Sequence, residues 1–79
     1  YTYTQKELQF IKDKDQAEWT TRLWVAKEAY SKMTGEGLKG NPKQYEVEKI
    51  KGESIFIRNR EIQTVKYKNE YIVGWTKSE

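Results

Sequence analysis

The chain has 79 residues, with 15 Lys and Arg against 12 Asp and Glu, and it contains no cysteine and no histidine. At this length we expect one domain, 1–79, and the missing residue types exclude a disulfide and a Cys/His metal site. No segment approaches the ~20 apolar residues of a membrane-spanning helix, and no signal peptide is visible. We therefore expect a small cytoplasmic domain whose core is built from its aromatic side chains.

A capping box indicates the first helix. The Thr4 hydroxyl is placed to accept from the Glu7 amide, and the Glu7 carboxylate is placed to reach back to the Thr4 amide. Leu8 and Ile11 then fall on one helical face. The sequence therefore predicts a short helix over residues 4–12.

The second helix carries the clearest pattern in the chain. Asp15 is its expected N-cap, and Gly35 suits the left-handed position that ends a helix. Lys27, Glu28 and Lys32 lie off the apolar side of this helix. Residues spaced by three and four form a narrow apolar stripe that should face the core: Trp19, Leu23, Ala26, Tyr30 and Met33.

Residues 4–12 are similar to the first helix of helix-turn-helix domains, but the similarity ends there. The second helix is too long for that motif, and no short turn leads from it into a recognition helix. The glycine-rich loop that follows, 35–42, contains the only proline. It lies after a helix instead of before one and lacks the P-loop pattern, which argues against a phosphate cradle there.

From Tyr45 onward the period of the pattern changes to two, which is typical of strands. Turns are predicted at Gly52-Glu53, Asn59-Arg60 and Lys68-Asn69. An alternative for the first segment is a short helix that begins at Asn41-Pro42. Tyr71, Val73 and Trp75 should share one face of the last strand. The predicted strands cover residues 45–50, 54–58, 61–67 and 70–76.

The predicted fold class is α+β. Two N-terminal helices, within residues 1–34, should pack on a three- to four-stranded antiparallel β-meander over residues 43–77. The loop 35–42 connects these two parts. The apolar stripe of the second helix and one face of the sheet can then bury each other.

The residue types favour a protein that is not an enzyme. Without histidine and cysteine, most general-base and nucleophile schemes cannot be built. Asp13 and Asp15 suit turn and cap positions, and Glu46 and Glu48 resemble an ordinary solvated strand face beside lysines. We therefore expect no catalytic residue, no metal and no cofactor.

The first functional hypothesis is a small nucleic-acid-binding module. Basic residues that alternate with aromatic ones on a sheet can hold phosphates and stack bases. A composition rich in Lys, Glu, Ile and Tyr is also common in small proteins of AT-rich bacteria and their phages. The candidate contact residues are Arg58, Arg60, Lys66 and Lys68, with Phe56 and Tyr67 for stacking. The alternative is a charged sheet surface that only resists aggregation.

The second hypothesis is a protein-protein interaction module, either a regulator or inhibitor of a larger protein or a self-associating subunit. Trp24 lies away from the stripe of the second helix, so it is either covered by the first helix or exposed as an interface anchor. Tyr71 and Trp75 are the other candidate anchors. A further possibility is a fragment of a longer protein, because the first residue is Tyr1.

Overall fold

The computed structural model describes residues 3–35, 45–68 and 71–77. Helices α1 and α2 precede four strands that form one antiparallel sheet in the order β1-β2-β3-β4. The predicted α+β fold is thereby confirmed. Within the described ranges, no helix is long and apolar enough to cross a membrane. The elements are α1 (Gln5–Ile11), α2 (Gln16–Thr34), β1 (Lys49–Lys51), β2 (Ser54–Ile57), β3 (Arg60–Tyr67) and β4 (Tyr71–Thr76).

The ends of both helices lie within one residue of the predicted ends. The Glu7 amide donates to Thr4 Oγ1 at 3.2 Å, and the Thr4 amide donates to Glu7 Oε1 at 2.9 Å, which completes the capping box. Asp15 accepts from the Glu18 amide at 3.0 Å. Gly35 ends α2 with φ +82°, a conformation that glycine adopts without a steric penalty.

The core lies between the apolar stripe of α2 and the inner face of the sheet. Met33 was predicted to belong to this stripe, but it is 39% exposed and lines a groove between α2 and β4. Leu8 is 41% exposed, since α1 turns Glu7 and Ile11 inward instead. The buried core consists of Ile11, Trp19, Leu23, Ala26, Tyr30, Tyr45, Val47, Ile55, Ile57 and Ile62.

The first strand is shorter than predicted. Residues 45–48 are not in a strand, and Tyr45 and Val47 are fully buried in the core. The Val47 amide donates to the Glu7 carboxylate at 2.8 Å, so it is unavailable to a neighbouring strand. The alternative short helix at Asn41-Pro42, and the predicted loop beyond Gly35, lie outside the described residues.

The β2–β3 turn lies one residue earlier than predicted. Its central residues are Arg58 and Asn59, with φ of +48° and +69°, while Arg60 already pairs with Ile57 as the first residue of β3. Positive φ at both central residues matches the type I′ turn that joins two twisted antiparallel strands. Gly52, with φ +61°, lies in the predicted β1–β2 turn.

The last strand has one exposed face and one face toward α2. Tyr71, Val73 and Trp75 are 52%, 39% and 47% exposed, so their predicted common face is confirmed. On the opposite face, a Cβ added to Gly74 would lie only 2.6 Å from Val25 Cγ1 of α2. The missing side chain at Gly74 is therefore what allows α2 to lie so close to β4.

Candidate functional site

A groove of about 460 Å³ lies between the C-terminal half of α2 and the end of β4. We call it the carboxyl-end groove. Its α2 wall carries one acidic and one basic side chain among small and apolar ones, and its β4 wall includes Gly74. The lining residues are Val25, Glu28, Ala29, Lys32, Met33, Gly74, Trp75 and Thr76.

A second groove lies at the other end of α2, where Asp15, Glu18 and Lys66 contribute to its lining. Its charged side chains already have partners. Glu18 forms ion pairs with Arg22 at 2.9 Å and with Lys66 at 3.2 Å, and Asp15 caps α2. Groups that are satisfied in this way stabilise the fold, and binding a ligand there would break existing interactions.

Glu28 and Lys32 differ from the other charged residues of α2. They are four positions apart, so they are neighbours on one helical face. Within the described ranges, neither side chain has a hydrogen-bond or ion-pair partner, although Glu28 is half-buried. Asp13 and Glu46 also lack a side-chain partner in the part of the chain that the structure describes, but neither lines the carboxyl-end groove. Glu28 and Lys32 are therefore the charged pair available to a ligand.

Ion pairs on α2 fix the helix that carries Glu28 and Lys32. Arg22 is buried and donates to Thr64 Oγ1 and to Glu53 Oε2, both at 2.9 Å, which joins α2 to β3 and to the β1–β2 turn. Five residues further along α2, Lys27 is fully buried against Glu7 of α1. A helix held on both flanks keeps its groove-facing side chains in a fixed position.

Perturbed titrating groups lie away from this groove. Burial raises the pKa of the Tyr3 phenol, and the nearby Glu7 carboxylate raises it further. A hydrogen bond from Ser54 lowers the pKa of the partly exposed Glu61 carboxyl, and Lys77 adds to that effect. Both groups belong to the packing of α1 and of the outer sheet surface.

The structure does not bring the predicted nucleic-acid contacts onto one surface. Arg58, at a hairpin turn, lies over the rings of Tyr30 and Tyr45 at 5.9 and 5.4 Å. Arg60 begins β3 and Lys66 lies six residues further along the same strand, which separates them by roughly 20 Å. The remaining candidates are spread over the sheet. Phe56 lies under Lys49 at 4.8 Å, and Lys68 lies over Tyr67 at 5.4 Å, whereas Lys66 pairs with Glu18.

The predicted protein-interface residues are only partly brought together. Tyr71 and Trp75 are exposed on the outer sheet face, beside Tyr67 and Val73. Trp24 is half-buried on α2 and is not part of that face. A role for any of these residues stays a prediction.

The family comparison decides the class of this protein. The chain matches the model of the 4′-phosphopantetheinyl transferase superfamily over residues 1–76. The chain belongs to this superfamily. No curated protein sequence and no solved structure matches it significantly.

Membership of a transferase superfamily corrects the functional prediction. The expectation of a non-catalytic module, for nucleic acid or for protein, is wrong, and so are the phage-type and nucleic-acid descriptions. The prediction rested on the absence of histidine and cysteine, the usual bases and nucleophiles, and on carboxylates that resembled cap residues or a solvated strand face. Superfamily members transfer a phosphate-bearing group, for which a carboxylate and a fixed cation are useful. In the described residues, no group of three or more His, Cys, Asp or Glu forms a metal cage.

Glu28 and Lys32 were not among the candidate site residues predicted from the sequence. They were seen only as polar residues off the apolar stripe of α2. Their spacing of four residues was visible in the sequence. Their position opposite Gly74 depends on how α2 packs on β4, and no local pattern contains that information.

Proposed function

We propose that this chain takes part in 4′-phosphopantetheinyl transfer and that the carboxyl-end groove binds the phosphate of the transferred group. The observation that carries the proposal is the pair of Glu28 and Lys32 in this groove, whose side chains have no partner among the described residues, in a chain of the transferase superfamily. A donor of this group is coenzyme A, in which the phosphopantetheine is joined to a nucleotide through a second phosphate.

The transfer exchanges one P–O bond for another. An acceptor hydroxyl oxygen attacks phosphorus, and the bond from phosphorus to the bridging oxygen breaks, so that this oxygen leaves with the nucleotide. Negative charge spreads over the non-bridging oxygens in the transition state. The Lys32 ammonium supplies a fixed positive charge beside them, and such preorganised charges are worth most where water is excluded.

Glu28 accepts the proton that the acceptor hydroxyl loses. A positioned carboxylate within hydrogen-bond reach of that hydroxyl accelerates such a step. Glu28 is half-buried and lies one helical turn from Lys32. A phosphate bound at Lys32 therefore lies close to Glu28, and so does the acceptor hydroxyl that attacks its phosphorus. A magnesium ion held mainly by substrate phosphates needs only one or two protein carboxylates, and it would neutralise phosphate charge; Glu28 is suited to be one such ligand.

Binding of coenzyme A to matched lysine variants tests the proposal. Lys12 is an exposed lysine at the end of α1, outside the groove, and is therefore the control for Lys32. In isothermal titration calorimetry we expect Lys32→Met to weaken binding of coenzyme A by roughly tenfold, because a charge-assisted hydrogen bond is lost. Lys12→Met should leave the affinity unchanged. No binding by the unmodified chain, or equal weakening by both variants, would contradict the proposal.

A further inference from the structure

The open edge of β4 presents unpaired main-chain groups to the carboxyl-end groove. In the described part of the sheet, β4 has β3 on one side and no strand on the other. The Lys77 amide donates to the Glu61 carbonyl at 3.0 Å, which identifies Glu61 and Lys77 as a hydrogen-bonded pair. Such pairs alternate along an antiparallel ladder, so the hydrogen-bonding groups of Gly74 and Thr76 point away from β3.

A second observation agrees with this alternation. The Thr64 amide, opposite Gly74, donates to the Glu53 carbonyl at 3.1 Å, on the side away from β4. Thr64 and Gly74 therefore do not exchange main-chain hydrogen bonds. Both Gly74 and Thr76 line the carboxyl-end groove, across from Lys32. One wall of the groove thus offers main-chain donors and acceptors, and the other offers a cation.

The pantetheine arm has the chemistry that such an edge recognises. It is an extended chain with two secondary amides, and each amide carries one N–H donor and one carbonyl acceptor, as a peptide does. Extended peptides bind open sheet edges through main-chain hydrogen bonds. The apolar parts of the arm can contact Ala29 and Met33, which lie on the α2 wall.

We propose that the β4 edge at Gly74 and Thr76 binds the pantetheine arm through main-chain hydrogen bonds while Lys32 binds its phosphate. This inference rests on the proposed function and adds the part of the substrate that the groove recognises. A donor is then held at two points, which fixes its phosphorus relative to Glu28.

Amide chemical shifts distinguish the arm from the nucleotide. In ¹H–¹⁵N spectra, coenzyme A should move the Gly74 and Thr76 amide protons downfield, as new hydrogen bonds do. Adenosine 3′,5′-bisphosphate, which lacks the arm, should leave both amides unchanged. Shifts with coenzyme A that are confined to α2 amides such as Ala29 would overturn the inference and leave the proposed function standing. No shift at any amide would overturn the proposed function itself.

Two substitutions at Thr76 separate its main chain from its side chain. Thr76→Pro removes the outward N–H but no ladder hydrogen bond, and proline is accepted at such edge positions. Thr76→Ala keeps the N–H and is the matched control. We expect Thr76→Pro to weaken binding of coenzyme A by roughly fivefold and Thr76→Ala to have no effect. Equal affinities for the two variants would overturn the inference, and circular dichroism checks that both remain folded.

Discussion

Lys27 Nζ lies 2.9 Å from Glu7 Oε2, and both side chains are completely excluded from solvent. The Glu7 carboxylate also accepts from the amides of Thr4 and Val47, so one buried anion joins α1, α2 and the segment that leads to β1. Lys27 Nζ also lies 5.4 Å from the centre of the Tyr3 ring. Because Glu28 follows Lys27 directly, this ion pair also helps to fix the rotation of α2 about its axis.

Removing the buried lysine should be strongly destabilising. Lys27→Met leaves the Glu7 carboxylate buried without its cation, and we expect a loss of about 3–5 kcal/mol in the free energy of unfolding. For a domain of this size that is a large part of the total. Urea denaturation of Lys27→Met, Glu7→Gln and the double variant measures the coupling. The two losses should be non-additive by about 0.5–3 kcal/mol, and strict additivity would show that the pair is not a unit.

The contact between Gly74 and Val25 predicts a variant and its rescue. Gly74→Ala places a methyl group 2.6 Å from Val25 Cγ1, so α2 and β4 must move apart. We expect a loss of about 1–3 kcal/mol, as for other overpacked cores. In a Val25→Ala background, Gly74→Ala should cost much less, because the shortened side chain no longer meets the added methyl group. The double variant should therefore be nearly as stable as Val25→Ala alone. Thermal unfolding measures all three, and an unchanged Tm for Gly74→Ala would argue against the close approach.

The partly buried Tyr3 phenol should make the stability of the fold decrease at alkaline pH. Its hydroxyl donates to the Thr20 carbonyl at 2.7 Å, and burial together with Glu7 raises its pKa above the ordinary value of 10.0. The folded state therefore favours the neutral phenol. The contribution of Tyr3 is fully present below pH 10.0 and is lost as the pH rises through the folded-state pKa.

Comparison of the unmodified chain with the Tyr3→Phe variant isolates the contribution of the Tyr3 hydroxyl. At neutral pH, Tyr3→Phe should cost about 1 kcal/mol for the lost hydrogen bond. The difference in unfolding free energy between the unmodified chain and Tyr3→Phe should shrink above pH 10.0. Tyr67→Phe, at an exposed tyrosine, controls for ionisation of the denatured chain. A difference for Tyr3→Phe that stays constant up to strongly alkaline pH would disprove the assignment.

The ends of the helices could be predicted from local sequence rules. The first strand could not, because its extent depends on contacts between residues far apart in the chain. Thr4, Asp15 and Gly35 cap helices through hydrogen bonds or backbone angles within four residues, so the sequence contains the whole signal. The segment 45–48 alternates like a strand, but the Val47 amide binds Glu7, which is 40 positions away. The local sequence pattern around Val47 does not indicate a hydrogen-bond partner so far away in the chain.

The candidate site was harder to predict than the fold for a related reason. Lys27, Glu28 and Lys32 look equivalent as polar residues beside an apolar stripe. Packing makes Lys27 part of a buried ion pair, while Glu28 and Lys32 line a groove with β4. The prediction of no enzyme also rested on the absence of histidine and cysteine, whereas the candidate site contains only a carboxylate and an ammonium group.

The transfer rate of Glu28→Gln tests the central claim most directly. The assay uses coenzyme A and a purified carrier protein that lacks its phosphopantetheine, and mass spectrometry follows the gain of one phosphopantetheinyl group. Glu46 is also half-buried and has no side-chain partner among the described residues, so Glu46→Gln is the matched control. We predict that Glu28→Gln lowers the rate by roughly 10²–10⁴-fold, as the loss of a catalytic base does, while Glu46→Gln keeps the original rate. Equal rates for the two variants, or no transfer by the unmodified chain, would contradict the account.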